Sequence, residues 1–300
     1  MKPKRHLPAA RDLIIIVPWF WLALFFLLPF LFVLKISLSE PALAQPPYLD
    51  LIREVEEGLV TIMLNFGNYQ LLLQDPLYLS ALLGSLQVAA ISTVCCLLIG
   101  YPMAYAIARS PAHWRLPLLM LIILPFWTSF LIRIYAWIGI LKGNGLLNNL
   151  LLWSGLIDAP LEIMHTSLAV YIGVVYNYLP FVILPLYATL IRLDLTLLEA
   201  AADLGCRPWK QFVLITLPLS LPGVLAGAML VFIPVMGEFV IPDLLGGPDT
   251  LMLGKLMWTE FFSNKDWPLA SSLAALLLVA LIVPFVLLRH FERKAEERAT

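Results

Sequence analysis

The sequence predicts an all-α polytopic membrane protein with six transmembrane helices. Three observations carry that expectation. Hydrophobic residues make up 61% of the 300-residue chain and charged residues only 13%. Mean hydropathy is +0.90. Six apolar runs each reach the roughly 20 residues that a helix needs to cross a hydrocarbon core of about 30 Å. Ordinary globular chains are roughly 45–50% apolar and about 25% charged. A soluble fold of this length could not bury the surplus. A disordered chain, a nucleic-acid-binding module and an ordinary soluble enzyme are excluded on the same ground.

The first run, 13–34, carries no charge once Asp12 is left outside. Its basic front (Lys2, Lys4, Arg5, Arg11) and the triplet Ala42-Leu43-Ala44 imitate a secretory signal. The run exceeds the 7–15 residues of a signal h-region, so a retained first helix is expected. The second and sixth runs, 79–108 and 267–288, are uncharged; the third, 116–141, is interrupted only by Arg133. The fourth, 163–191, holds no formal charge besides a protonatable His165, and the fifth, 219–241, holds Glu238 alone. Backbone groups in lipid must be satisfied within the segment, which favours helices for runs of this length.

Lys and Arg in the connections set the orientation. With the N-terminus inside, 13 of the 19 basic residues fall on the inner side and 13 of the 20 acids on the outer side. Both termini are then expected in the cytoplasm, in keeping with an even number of spans. The negative outer face would draw polycations, although the positive-inside rule itself produces much of that asymmetry.

The chain is expected to form one permease-type domain over 1–300. An outer insertion at 39–76 contains Pro41, Pro46, Pro47 and the run Glu54-Val55-Glu56-Glu57, with a short helix expected around 49–63. Prolines 29, 102, 125, 180, 185, 234 and 284 fall inside spans. There they either kink the helix as architecture or mark bends that line a cavity. Gly223 and Gly227 have the small-xxx-small spacing that lets helices approach closely. Cys95, Cys96 and Cys206 make no disulfide framework; the adjacent pair reads as small buried apolar residues.

Catalytic signatures are missing. No phosphate-cradling Gly-rich loop ending in Gly-Lys-Ser/Thr occurs: Lys255 is followed by Leu256. There is no His-Glu-x-x-His, no metal-type Cys/His cluster and no Gly-x-Ser-x-Gly. No catalytic residue, no metal site and no cofactor of its own are therefore assigned.

The long inner connection, 192–218, is the most informative segment. Leu198, Ala201 and Ala202 share a face at i, i+3, i+4. Gly205 can end a helix in the left-handed conformation, and Pro208 can begin the next one. A compact helix–turn–helix with small residues on one face is a knob suited to a groove on another protein. Glu199-Ala200-Ala201, three residues, Gly205, nine residues, then Ile215-x-Leu217-Pro218 resembles the signature of the permeases of binding-protein-dependent ABC importers, with no departure. Residues 123–137 and 237–248 look like the polyamine branch of that family, most like the first of two permease subunits in putrescine importers.

The resemblance implies a type I importer permease fold in a bacterial inner membrane. It implies a homologous second permease subunit as heterodimer partner, two copies of a cytoplasmic ATPase that bind ATP and Mg, and a periplasmic polyamine-binding protein. It further implies that Glu199, Ala200, Ala201, Gly205, Ile215, Leu217 and Pro218 couple the permease to the ATPase. A carrier or channel acting alone is the competing class; the inverted repeats that would favour it are not seen. An integral-membrane enzyme is a third, and lacks a polar catalytic cluster.

A polyamine needs carboxylates for its ammonium groups and aromatic faces for its cationic ends and methylenes. Glu238 is the acid at membrane depth, where a charge costs on the order of 2.5–3.5 kcal/mol and marks function. The competing reading places it at the outer interface, solvated or paired with Arg133. Asp243 is a second acidic candidate, and Glu260 a weaker one. Trp127, Tyr135 and Trp137 on the third span, with Tyr176 and Tyr178 on the fourth, are the aromatic candidates; interfacial belts explain many such residues. Arg133 is expected to pair with an acid or to snorkel.

Overall fold

The structure, a computed structural model, describes residues 10–55 and 59–299. The basic front Lys2, Lys4 and Arg5 and the acids Glu56 and Glu57 lie outside them. The described chain is helical apart from one hairpin. It divides into two compact units, Met1–Pro76 with Met257–Ala280, and Leu77–Leu256 with Leu281–Thr300.

The first unit opens with α1 (Ala10–Leu22) and α2 (Leu28–Ser37), joined by a π-helical turn, Ala23–Leu27. Pro29 explains the turn. It has no N–H, and its ring crowds the carbonyl of Phe25, which a locally wider turn relieves. The apolar stretch Ile15–Ser37 is long enough to cross a membrane. In the outer insertion, the helix expected at 49–63 is replaced by strands β1 (Ile52–Val55) and β2 (Leu59–Ile62), paired antiparallel with Ile52 opposite Ile62. The β-branched residues Ile52, Val55, Val60, Thr61 and Ile62 favour the pleated arrangement over helix. Helix α3 (Gly67–Gln74) follows. The Ser37 carbonyl accepts from both Asn68 Nδ2 and Ser272 Oγ, each at 3.1 Å, which ties α3 and the start of the last helix to the first span.

The second unit begins with α4 (Pro76–Arg109), 34 residues long. The third run is not one continuous span. It divides into α5 (Ala112–Ile123), a 3-10 turn (Leu124–Trp127) and α6 (Phe130–Leu141). Thr128 is extended (ψ 154°), and its backbone N–H and Oγ1 both turn back to the Pro125 carbonyl, at 3.2 and 2.7 Å. At 1.5 Å per residue, α5 and α6 each reach only about 18 Å. A turn leads to α7 (Leu146–Trp153) and then to α8 (Ser167–Leu190).

Next come α9 (Thr196–Asp203), α10 (Pro208–Gln211) and a second π-helical turn, Phe212–Thr216, which precedes Pro218 as the first precedes Pro29. α11 (Leu217–Met236) ends five residues before the expected limit at 241. Pro234 cannot donate within the helix, and its carbonyl is taken by the Gly237 N–H at 3.2 Å, which closes the last turn early. The chain continues as α12 (Val240–Leu245), α13 (Leu253–Trp258), a third π-helical turn (Thr259–Ser263) and α14 (Trp267–Ala299).

Five stretches among the described residues are long and apolar enough to cross a membrane: Ile15–Ser37, Pro76–Arg109, Phe130–Trp153, Ser167–Leu190 and Pro208–Met236. Ala112–Trp127 and Trp267–Ile282 are shorter apolar helices. The core of the second unit is built on α8 and α11. At Gly227 a Cβ would stand 3.1 Å from Val182 Cα and 3.2 Å from its carbonyl oxygen, so only glycine allows this approach. Gly223, one turn away, faces Thr189 and Pro185 in the same way. Tyr101 Oη and Ser220 Oγ, 2.8 Å apart, join α4 to α11. Cys96 is buried beside the Val175 carbonyl, and all three cysteines are free.

Candidate functional site

The first site is the loop between α8 and α11. Asp194 Oδ1 accepts the Thr196 N–H at 3.0 Å and starts α9. Glu199 lies in the first turn, where the helix dipole favours an acid. The helix ends in a Schellman motif: the Gly205 N–H reaches the Ala202 carbonyl at 2.8 Å and the Cys206 N–H the Ala201 carbonyl at 2.9 Å. Gly205 has φ +78°. Gln211 Nε2 donates to the Cys206 carbonyl at 2.8 Å and fastens α10 to the turn.

Glu199, Ala200, Gly205, Leu217 and Pro218 are exposed, and Ala201 and Ile215 half-buried. Leu197, Leu204 and Trp209 are exposed apolar side chains on the same projection. Beside it lies a cleft of about 530 Å³ lined by Thr189, Arg192, Asp194, Leu197, Leu219 and Pro222. The arrangement is that of a projecting knob with small and apolar side chains on its surface.

The second site surrounds Glu238. The break after α11 places its carboxylate over the first turn of α12. Oε1 accepts from the backbone N–H groups of Val240 at 3.0 Å, Phe239 at 3.2 Å and Ile241 at 3.4 Å. Tyr178 donates its hydroxyl to Oε2 at 2.7 Å. Glu238 is only 8% exposed. The buried carboxylate is satisfied by fixed donors rather than by water.

Aromatic rings extend the site. Tyr178 lies 6.0 Å from Phe181, and Phe181 packs edge-on against Phe126 at 5.4 Å. Trp137 and Tyr176 make a second edge-on pair at 5.3 Å. The expected acid partner of Arg133 is not there. Its guanidinium lies 4.6 Å from the Phe126 ring and 5.8 Å from that of Phe130, with Nε and Nη1 buried and without hydrogen-bond partners. The charge rests on ring quadrupoles.

Of the candidates from sequence, the structure joins Tyr178 to Glu238 and Trp137 to Tyr176. Trp127, 77% exposed, and Tyr135 face outward from the chain. Asp243 is exposed and forms an ion pair with Lys255 at 3.1 Å. Sequence reasoning missed Phe126 and Phe181, which link Arg133 to Tyr178. It also missed Asn177, buried with Nδ2 on the Gly173 carbonyl and Oδ1 unpartnered. An amide between two tyrosines inside an apolar span was the available signal for Asn177. Nothing in periodicity singles out two phenylalanines.

A bundle of membrane-length apolar helices with a projecting helix–turn–helix is the architecture of a transport permease. The chain belongs to the family of binding-protein-dependent transport system inner membrane components, which matches residues 96–297. It is 42% identical over 261 residues, covering 87% of this chain and 90% of the relative, to the spermidine/putrescine transport system permease protein PotB of Escherichia coli (strain K12). Its identity to the PotB of Haemophilus influenzae (strain ATCC 51907 / DSM 11121 / KW20 / Rd) is 40%, over 88% of each chain. Among solved structures, a chain of the bacterial alginate ABC transporter in complex with its pentasaccharide-bound periplasmic protein superposes with a TM-score of 0.68. That match has 17% identity and covers 94% of this chain and 93% of that one. A chain of the MetNI methionine ABC transporter gives 0.57 at 15% identity, over 73% and 96%. Both show the importer-permease fold.

Proposed function

We propose that this chain, acting as one permease domain over 1–300, is the translocation subunit of an ATP-driven importer for putrescine or spermidine, working by alternating access. The observation that carries the reading is its identity of about two residues in five to spermidine/putrescine permeases over nearly nine-tenths of its length. The chemistry of the second site supports it. A carboxylate held by four donors, with aromatic rings beside it, suits an ammonium group on a short methylene chain. Trp127, Tyr135 and Asp243 belong to the same proposed path, where their exposed groups meet substrate or the partner subunit.

In this reading a homologous permease subunit completes the pore, and a periplasmic polyamine-binding protein delivers substrate. Two cytoplasmic ATPase subunits bind ATP and Mg. They grip the loop through Glu199, Ala200, Ala201 and the turn at Gly205, with Ile215, Leu217 and Pro218 carrying the displacement into α11. Both termini lie in the cytoplasm. The test is reconstitution with those partners, followed by uptake of putrescine, spermidine and amino acids with and without ATP. Polyamine uptake that needs both ATP and the ATPase subunits is expected. Uptake by this chain alone would overturn the reading in favour of a self-sufficient carrier.

A further inference from the structure

Helix α3 is fixed in depth by its contacts. Asn68 Nδ2 donates to the carbonyls of Ser37 and Ser39, both at 3.1 Å, and Tyr69 Oη lies 2.7 Å from Ser37 Oγ. Ser37 is the last residue of the first span. Past Asp75 the chain enters α4, itself a span. Helix α3 is therefore pinned at the level where the first span leaves the hydrocarbon. Leu72 is buried toward the tether, yet Phe66, Leu71 and Leu73 are exposed, Leu73 to 81%. A short helix with Leu71 and Leu73 exposed on its flanks and Gln70 and Gln74 on the side away from the tether, held at that level, has the character of an interfacial helix.

Beside it is a groove of about 400 Å³, lined by Phe30 and Leu34 of α2, Tyr69, Leu72 and the partly outward Leu73 of α3, and Leu276 of α14. Its polar lining atom of note, the Tyr69 hydroxyl, is already paired with Ser37. Lys35, the nearby cation, is held by Asp50 at 2.8 Å. No carboxylate or free cation lines the groove, so neither a polyamine nor an anion has a partner there. On α2, between the groove-lining Phe30 and Leu34, Leu31 and Phe32 are exposed. Gln70 and Gln74, one turn apart, are exposed on α3.

We propose that α3 lies in the membrane interface and that the groove beside it seats one acyl chain of a phospholipid, in the leaflet at the Ser37 end of the first span. Recognition is of the hydrocarbon chain by an apolar lining. The site is separate from substrate translocation, so its failure would leave the proposed function untouched.

The test uses the assembled importer in phospholipid bilayers, with the three native cysteines replaced and a nitroxide attached at Leu73→Cys. Labels at Leu31→Cys, exposed on the first span, and Leu43→Cys, exposed in the insertion, serve as hydrocarbon and water references. Collision with dissolved oxygen is expected to exceed collision with an aqueous nickel chelate severalfold at 73, as at 31, with the opposite ratio at 43. A water-like ratio at 73 overturns the proposal, and so does protection from both reagents, which would mean that protein covers the helix. For the groove, native mass spectrometry compares phospholipid retained by the wild type and by Ala275→Phe, which fills the space beside Leu276. Loss of one bound phospholipid is expected; equal retention overturns the acyl-chain site.

Discussion

Replacing Gly205 by valine perturbs one backbone torsion and little else. The glycine has φ +78°, and a Cβ built there meets no atom within 4 Å. The penalty is therefore conformational rather than steric crowding by neighbours. An L-residue in the left-handed region costs about 1–2 kcal/mol, and a β-branched one stands near the top of the range of about 1–3 kcal/mol for such strain. At about 3 kcal/mol the loop would hold its Schellman turn on the order of a hundredfold less often. Alanine, at about 1–2 kcal/mol, would reduce it by a factor of roughly 5–30. Asparagine, which tolerates this region, would reduce it least. The loop is exposed, so membrane insertion and the packing of α8 on α11 should be unaffected. The assay is polyamine uptake per ATP hydrolysed by the importer assembled in proteoliposomes. Coupling is expected to fall in the order glycine, asparagine, alanine, valine while the yield of assembled permease stays constant. Wild-type coupling in Gly205→Val would refute the reasoning, because the turn geometry would then be irrelevant to how the ATPase grips the loop.

Glu238→Gln keeps an oxygen for the α12 backbone and removes the charge; uptake is expected to fall at least tenfold (roughly 1.4 kcal/mol of lost transition-state stabilisation) with the protein still folded, and unchanged uptake would leave Glu238 as a cap only. Tyr178→Phe removes the donor to Oε2, a charge-assisted bond of about 1.5–3 kcal/mol, and should lower thermal stability and shift the KM for polyamine. Gly227→Val would press on Val182 backbone atoms that cannot rotate away, so overpacking of about 1–3 kcal/mol should appear as a lower Tm in detergent. A cysteine at Leu43, fully exposed in the insertion, should react with an impermeant maleimide from the periplasmic side; reaction only from the cytosol would invert the topology.

The features legible in the sequence are those with a one-dimensional signature. Apolar runs announce themselves by length. The coupling loop announces itself because Gly205, Pro208 and the alanines act through local backbone geometry. What was not legible depends on where a helix stops inside lipid. Thr128 and Gly237 break the third and fifth runs where only two or three polar residues interrupt long apolar stretches, and the breaks are closed by bonds to the carbonyls of Pro125 and Pro234. Glu238 was visible as a lone acid, but its four donors come from residues up to 60 positions away and from a helix start that exists only because α11 ends early. Of the two expectations for Arg133, the acid partner is not found among the described residues; the rings of Phe130, one turn back, and Phe126, across the break, supply the contact. The hairpin at 52–62 was hidden by an acidic run that resembles the start of a surface helix.

The two sites stand at opposite ends of the same helical rod. The chain runs from the Gly205 turn through α10 and the π-helical turn into α11, and α11 ends at Gly237, next to the carboxylate held by Tyr178. The 20 residues of α11 alone span about 30 Å. Glycine at 223 and 227 lets this rod lie directly on α8, the helix that carries Tyr178, so the two helices can slide only against backbone. A push on the loop is thus opposed by close packing along the rod and released where the packing is interrupted. The interruptions are the π-helical turn before Pro218 and the break at Gly237. Displacement at the ATPase end should therefore change the Tyr178–Glu238 contact before it separates α8 from α11. Under the proposed function, a cation bound at Glu238 and a loop gripped by the ATPase would act on one mechanical element, as ATP-driven release of a polycation from that carboxylate would require.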